Sequence, residues 1–137
     1  MKYGFLTCCG IIGSFISNLY GGWSDSQTTL LIFMGIDFAS GLYNGWKNKS
    51  SKTNSGGLSS TVCWNGLAKK VMTLLFILVG ARLDLQFGTT IYKDGLCVAF
   101  IMNELLSIIE NAKLMGLWIP PILEDALDIL NGKKRGE

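Results

Sequence analysis

YGFLTCCGIIGSFISNLYGGWS, at residues 3–24, contains no charged side chain and decides which class of fold the chain can adopt. A helix needs about 20 apolar residues to cross the hydrocarbon core of a bilayer, and this stretch has the required length. The whole chain of 137 residues is 49% hydrophobic and 16% charged. Because an average soluble domain has about 25% charged residues, the composition predicts an integral membrane protein.

Three further apolar segments follow, and each carries ionisable side chains near its middle. They are about residues 27–46 with Asp37, about 71–88 with Arg82 and Asp84, and about 95–112 with Glu104. Backbone in lipid must satisfy its own hydrogen bonds, and no segment alternates like a barrel strand, so each is expected to be a helix. With a first helix at about 3–20, the sequence predicts an all-α integral membrane bundle of four transmembrane helices, or of three if one does not span.

The C-terminal part of the chain, residues 113–137, is more polar than the predicted transmembrane domain at residues 1–112. Pro120 and Pro121 end one helix and can begin another. In the segment ILEDALDIL, residues 122–130, apolar and acidic residues fall on opposite faces of a helix. We therefore predict a short cytoplasmic amphipathic helix, lying on the membrane surface or on the bundle, followed by a basic tail.

The distribution of Lys and Arg predicts the orientation of the chain in the membrane. Of the twelve Lys and Arg residues, Lys93 falls in a loop expected to face outward and Arg82 is embedded. The positive-inside rule therefore predicts a multi-pass membrane protein with both termini in the cytoplasm. Basic residues expected at the membrane surface, against anionic lipids of the inner leaflet, are Lys47, Lys49, Lys52, Lys69, Lys70, Lys133, Lys134 and Arg135.

The ionisable residues inside the apolar segments are the first candidate site. Counted at about 1.5 Å per residue, Asp37, Arg82 and Glu104 lie at similar depths, with Asp84 somewhat farther out. One interpretation is an intramembrane charge layer that lines water in an assembled state. The other is an internal pair of Asp37 with Arg82 that fixes the register of the helices. The two are compatible if the pairs exchange between subunits.

Small residues at four-residue spacing are the second candidate site, because they let helices approach closely in lipid. They are Gly13, Ser17 and Gly21 in the first segment, and Gly35, Ala39, Gly41 and Gly45 in the second. This pattern predicts helix packing between copies of the chain, and therefore a homo-oligomer.

Other classes of site have no support in the sequence. The chain has no histidine, which excludes His-based catalysis and His metal ligands. Its cysteines form no C-x-x-C pair, so a zinc site is not expected. There is no phosphate-binding glycine loop and no basic stripe suited to nucleic acid. We therefore expect no enzyme, no catalytic or metal site, no cofactor and no nucleic-acid partner.

Several stretches resemble the phage-lysis and toxin-secretion holin family, the multi-span type found in phages of Gram-positive bacteria. LLIFMGIDFASG at residues 30–41 is similar to that family's apolar run ending in I-D-x-x-[ST]-G, and GLAKK at 66–70 resembles its entry to the next helix. NELLSIIEN at 103–111 resembles N-E-x-[LI]-S-I-[LI]-E-N. A glycine at Gly116 and a proline-led helix then follow, as they do in that family.

The resemblance implies a holin, which oligomerises in the cytoplasmic membrane and opens lesions at a set time. The cargo would be a cell-wall-degrading endolysin, or a toxin in some relatives, rather than a stable partner. Asp37, Glu104 and Glu110 are the acids that fall within matching motifs. Two functions from other classes stay open: a small ion or solute channel or transporter subunit, and an antiholin-type regulator that delays a true holin.

Overall fold

The computed structural model describes residues 1–130 and residue 132, and within them the chain forms five α-helices and no strand. The helices are α1 (Lys2–Leu19), α2 (Asp25–Trp46), α3 (Ser60–Phe87), α4 (Ile91–Leu114) and α5 (Pro121–Leu130). The all-α prediction is therefore confirmed for this part of the chain. The basic tail residues Lys133, Lys134 and Arg135 lie outside the described residues.

Two of the described helices, α3 and α4, are long and apolar enough to cross a membrane by length and composition. The prediction of four transmembrane helices is not supported, because α1 and α2 do not reach the same standard. The physical reason is polar content. The 18 residues of α1 include Lys2 and Asn18, and α2 begins with the polar residues DSQTT and carries Asp37 and Asn44.

The helix α3 begins at Ser60, well before the start at about residue 71 that apolarity predicted. The Ser59 hydroxyl accepts a hydrogen bond from the Val62 N–H and caps the first turn. From there the helix continues without interruption through Lys69 and Lys70. Lys70 is consequently a residue of the helix interior rather than of a loop, and this change determines the site described below.

Helices α2, α3 and α4 form the packed part of the molecule. The buried residues Leu30 and Met34 of α2 pack with Ile77 of α3 and Cys97 of α4. Farther along, Asp37 and Asn44 of α2 meet residues of α4 that likewise follow Cys97 in the chain. Contacts thus advance in the same direction on both helices, so α2 and α4 run parallel and α3 runs antiparallel to them.

Buried positions on these three helices recur every seven residues, which is the spacing of a coiled-coil seam. They are Leu30, Asp37 and Asn44 on α2, Lys70, Ile77 and Asp84 on α3, and Cys97, Glu104 and Asn111 on α4. Lys70 is the one of these that is only partly buried, with 15% of its side chain exposed. The seam is apolar at the level of Ile77 and polar on both sides of that level.

The helix α1 has no buried residue and presents large apolar side chains such as Phe5, Ile11 and Phe15 on its surface. Its C-terminal end is tied to the packed helices. The Tyr20 hydroxyl donates to the Leu74 carbonyl at 2.9 Å, and Lys93 Nζ donates to the Tyr20 and Gly22 carbonyls.

The C-terminal helix α5 begins at Pro121 and is joined to α4 by an ion pair of Lys113 with Glu124 at 2.8 Å. Both side chains of this pair are largely exposed, so it contributes little to stability. Leu127 is buried, whereas Ile122 and Ile129 are exposed. The structure thus has an amphipathic helix where the sequence predicted one.

Candidate functional site

The centre of the candidate site is a buried group of three charges that we call the ion triad: Lys70, Asp37 and Glu104. Lys70 Nζ lies 2.8 Å from Asp37 Oδ2 and 2.5 Å from Glu104 Oε2. Each carboxylate side chain is 8% exposed. Because the three residues come from α3, α2 and α4 respectively, a single ammonium group joins all three packed helices.

The second oxygen of Asp37 faces a set of uncharged polar groups between α2 and α4. Asp37 Oδ1 accepts from the Ser107 hydroxyl and from Asn111 Nδ2, the latter at 3.1 Å. Asn111 Nδ2 also lies 3.0 Å from the Ser40 hydroxyl, and Asn44 Nδ2 donates to the Asn111 carbonyl at 3.0 Å. We call this set the polar seam: Asp37, Ser40 and Asn44 with Ser107 and Asn111.

The two helices bring matching side chains to this seam. An acid, a serine and an asparagine stand at the same spacing on each helix: Asp37, Ser40 and Asn44 on α2, and Glu104, Ser107 and Asn111 on α4. Residues spaced by three and four lie on one face of a helix. The polar residues therefore line the contact between α2 and α4.

Electrostatics make Lys70 the critical member of the triad. Two carboxylates and one ammonium leave the group with one net negative charge, and desolvating each of these charges is costly. Hydrogen bonds from Ser107 and Asn111 offset that cost at Asp37. One polar atom of the seam, Asn44 Oδ1, is buried and has no hydrogen-bond partner among the described residues.

The structure separates the four residues that the sequence assigned to one charge layer. Asp37 and Glu104 come together, but Arg82 lies on the exposed surface of α3 and takes no part in the triad. Lys70, which the sequence assigned to the membrane surface, occupies the place expected for Arg82. In the structure, Asp37 pairs with Lys70 and Arg82 is exposed.

Asp84 forms a separate polar site at the turn between α3 and α4. Its Oδ1 accepts from the Thr89 hydroxyl at 2.6 Å and the Tyr92 N–H at 3.1 Å, and its Oδ2 accepts from the Lys93 N–H at 2.7 Å. The carboxylate thus caps the start of α4, where no N-cap side chain does so. At about 1.5 Å per residue, Asp84 lies about 21 Å along α3 from Lys70.

The small residues expected to pack copies of the chain together fall into two groups. Gly41 and Gly45 face their own chain: a Cβ on Gly45 would lie 2.8 Å from Leu58 Cδ2, and one on Gly41 would lie 3.8 Å from Asn111 Nδ2. Gly21 lies beside Leu85 in the turn after α1, with a positive φ of 67°. Gly13, Ser17, Gly35 and Ala39 are not buried, so their role in self-association stays a prediction.

A cavity of about 80 Å³ opens between α2, α3 and the α2–α3 loop, residues 47–59. We call it the loop cavity. It is lined by Asp37 and Lys70, by glycines of α2 and α3, by Cys63 and residues of the loop, and by the apolar side chains of Phe38, Leu42, Leu58 and Val62. No sequence pattern indicated this cavity, because it depends on how the loop folds back over the helices.

Comparison with known proteins bears directly on this arrangement. Residues 14–132 match the bacteriophage holin family, a range that includes α2, α3, α4 and α5. The chain belongs to the bacteriophage holin family. The resemblance seen in the sequence is thereby confirmed, and all the residues of the ion triad and the polar seam lie within the matched part of this holin-family protein.

Individual proteins are also similar to this chain over most of its length. An uncharacterised 14.9 kDa protein of Clostridium perfringens is 33% identical over 136 residues, which cover 98% of this chain and 95% of that protein. An uncharacterised protein of Listeria monocytogenes is 29% identical, over 97% of this chain and 88% of its own. A probable holin of Bacillus phage phi105 is 28% identical, over 74% of this chain and 70% of its own. No solved structure matches the chain.

Proposed function

We propose that this protein is a holin that oligomerises in the bacterial cytoplasmic membrane and opens lesions through which an endolysin, or a toxin, leaves the cell. Family membership and the likeness to a probable holin of a Bacillus phage support this proposal. The ion triad is the structural observation that carries it, because three charges are held inside a bundle whose outer surface is largely apolar.

The triad and the polar seam would keep polar side chains buried inside a single copy until copies assemble. In a single copy, Asp37, Lys70 and Glu104 satisfy one another, and the apolar outer faces of the helices meet lipid. When copies assemble, the same polar faces would turn toward water and line the lesion. Packed helices interconvert between discrete arrangements rather than deforming continuously, which suits a protein that opens at a set time.

The orientation we propose follows from the parallel course of α2 and α4. Because the α2–α3 loop follows α2 and the C-terminal part follows α4, both lie on the same side of the membrane whether or not α1 spans. That side carries Lys47, Lys49 and Lys52, so the positive-inside rule makes it cytoplasmic, against the anionic lipids of the inner leaflet. A spanning α1 would place the N-terminus there too.

A lysis assay tests the proposed function. The protein is induced in a bacterium that holds an endolysin in its cytosol, and culture turbidity is followed with and without an energy poison. A holin gives sudden lysis after a delay, and it releases the endolysin into the medium. Continued growth after full membrane accumulation would contradict the proposal.

The same assay separates the alternatives. A small channel or transporter subunit would change ion flux during steady growth and would release no endolysin. An antiholin-type regulator would do nothing alone but would postpone lysis by a co-expressed holin. Asp37 and Glu104 are both paired with Lys70 within a single copy, and the chain belongs to the bacteriophage holin family, which makes the holin our first choice.

A further inference from the structure

The loop cavity has walls and ends of different chemistry. Gly41, Gly45 and Gly66 line it together with the apolar side chains of Phe38, Leu42, Leu58 and Val62, and a Cβ on Gly66 would have no atom within 4 Å. The α2–α3 loop supplies polar groups from Ser50, Lys52, Thr53 and Ser59. Asp37 and Lys70 of the ion triad also line the cavity.

The α2–α3 loop is itself held in place over the cavity. The Ser50 N–H donates to the Gly56 carbonyl at 2.9 Å, and the Thr53 hydroxyl donates to the Gly57 carbonyl at 2.8 Å. Gly56 has a positive φ of 72°, and a Cβ there would lie 2.4 Å from the Asn48 carbonyl oxygen. The loop therefore has a defined fold, and the polar groups on the cavity are in fixed positions.

A space of this kind suits water. A cavity retains water when it is large enough and when two or more polar groups can bond each molecule. The loop cavity offers hydroxyl, ammonium and carboxylate groups, and its volume of about 80 Å³ has room for several water molecules. Water there would hydrate the exposed side of the Asp37–Lys70 pair and lower the cost of keeping these charges inside the bundle.

On the other side of the triad, the interior of the bundle is apolar. Leu30, Ile77 and Cys97 are each 0% exposed and Met34 is 5% exposed, and they pack together as one cluster. Ile77 follows Lys70 by seven residues, or about 10 Å along α3. Purely apolar spaces stay empty of water. A solute that reached the triad through the loop cavity would therefore stop there.

We propose that the loop cavity is a hydrated half-channel. Water and small water-soluble solutes enter it from the side of the α2–α3 loop, reach the Asp37–Lys70 salt bridge, and are stopped by the apolar cluster of Leu30, Met34, Ile77 and Cys97. The inference rests on the membrane location in the proposed function, and it does not require that the protein lyse cells. Such a half-channel brings the triad into contact with the water on only one side of the membrane.

Two native cysteines make the proposal testable. Cys63 lines the loop cavity, and Cys97 belongs to the apolar cluster. The exposed Cys8 and Cys9 are first changed to Ser. A small, charged, water-soluble methanethiosulfonate is then applied to inside-out and right-side-out membrane vesicles. We expect Cys63 to react from one side only, at least about tenfold faster than Cys97, because a buried apolar thiol is inert.

A larger side chain in the cavity distinguishes labelling of Cys63 through the cavity from labelling of a Cys63 thiol that is exposed directly at the protein surface. Gly66 lines the cavity and a Cβ there has nothing within 4 Å, so Gly66→Leu adds a large side chain at the cavity lining without a clash at its Cβ. It should slow the labelling of Cys63 about tenfold, since reactivity follows access of the reagent to the thiol. Ala68→Leu, on the exposed side of the same helix, should leave it unchanged. Continued protection of Cys97 shows that each variant is folded.

Three results would overturn the half-channel. These are an unreactive Cys63 in the native fold, equal labelling of Cys63 in Gly66→Leu and Ala68→Leu, and labelling of Cys97 as fast as Cys63. None of them depends on the lysis assay. A chain that fails to lyse cells but shows the expected labelling loses only the proposed function, and a lytic chain with an unreactive Cys63 loses only the half-channel.

Discussion

Asp37 and Asp84 are both buried acids within apolar helices, 7% and 5% exposed, yet their partners are of different kinds. Asp37 is held by side chains from two other helices: Lys70, Ser107 and Asn111. Asp84 is held by backbone N–H groups and one hydroxyl at the adjoining turn. The first arrangement is long-range in the chain, and the second is local.

The difference indicates which part of the molecule can rearrange. Side chains that meet across α2, α3 and α4 can separate when the helices move, and equivalent partners can come from another copy. Backbone amides at the start of α4 keep Asp84 as a partner as long as the α3–α4 turn exists. We therefore expect the α3–α4 hairpin to persist during assembly, and the contacts of α2 to be the ones that change.

Removing the cation of the triad should have the largest effect. Lys70→Met leaves two buried carboxylates without a counter-charge, and breaking a buried pair in this way costs about 3–5 kcal/mol. The free energy of unfolding in detergent micelles measures the loss. Lys69→Met is the matched control, because Lys69 adjoins Lys70 in the chain but is exposed and forms no part of the triad. Equal stability of the two variants would contradict the triad.

Neutralising the acids one at a time should cost less than removing Lys70. Asp37→Asn or Glu104→Gln leaves Lys70 with one carboxylate and removes the net negative charge, so we expect each to cost about 1–3 kcal/mol. The double variant leaves Lys70 unpaired and should lose more than the sum of the two single losses. A double-mutant cycle on unfolding free energies measures this coupling. Strict additivity would show that one ammonium does not serve both acids.

The positions of Asp37 and Glu104 could be predicted from the sequence, but their partner could not be found from apolarity alone. Arg82 and Asp84 stand two residues apart and so point to different sides of a helix. Asp84 faces inward, which directs Arg82 to the surface. The role of Lys70 in the triad was not predicted, because a charged residue indicates where the lipid-embedded part of the chain ends. It does not indicate where a capped helix begins. The seven-residue spacing of Lys70, Ile77 and Asp84 was the available signal.

The helices themselves were predictable to different degrees. Largely apolar segments marked α4 and most of α3, since helix is the expected conformation in lipid of a segment that does not alternate like a barrel strand. The fold of the α2–α3 loop was not predictable, because it depends on backbone contacts such as that of Gly56 with Asn48. The loop cavity depends on that fold, so the sequence offered no means of placing it.

The backbone-held site at Asp84 should respond to loss of charge less than the triad does. In Asp84→Asn an amide NH2 replaces one of the two carboxylate oxygens and cannot accept a hydrogen bond, so one of the two N–H groups loses its acceptor and the cap of α4 is weakened. We expect a smaller fall in thermal stability than for Lys70→Met, with the frayed first turn of α4 visible as faster amide exchange. Asp94→Asn is the control, because Asp94 lies exposed in the same turn. Protection lost equally in both variants would contradict the cap.

The smallest effect concerns how closely α3 and α4 approach beside the Asp84 site. A Cβ on Gly80 would lie 2.7 Å from Leu96 Cδ1 and 3.2 Å from both the Lys93 nitrogen and the Tyr92 carbonyl carbon. Gly66 lies in the same helix and a Cβ there meets nothing within 4 Å. Both Gly→Ala changes improve helix propensity equally, so the difference between Gly80→Ala and Gly66→Ala isolates packing. We expect Gly80→Ala to be less stable by about 1 kcal/mol, the lower end of the usual cost of overpacking, because the Leu96 side chain can shift in part. If the two variants unfold with equal free energies, α3 and α4 pack less closely than the structure shows. The helix pair that persists during assembly would then be α2 with α4.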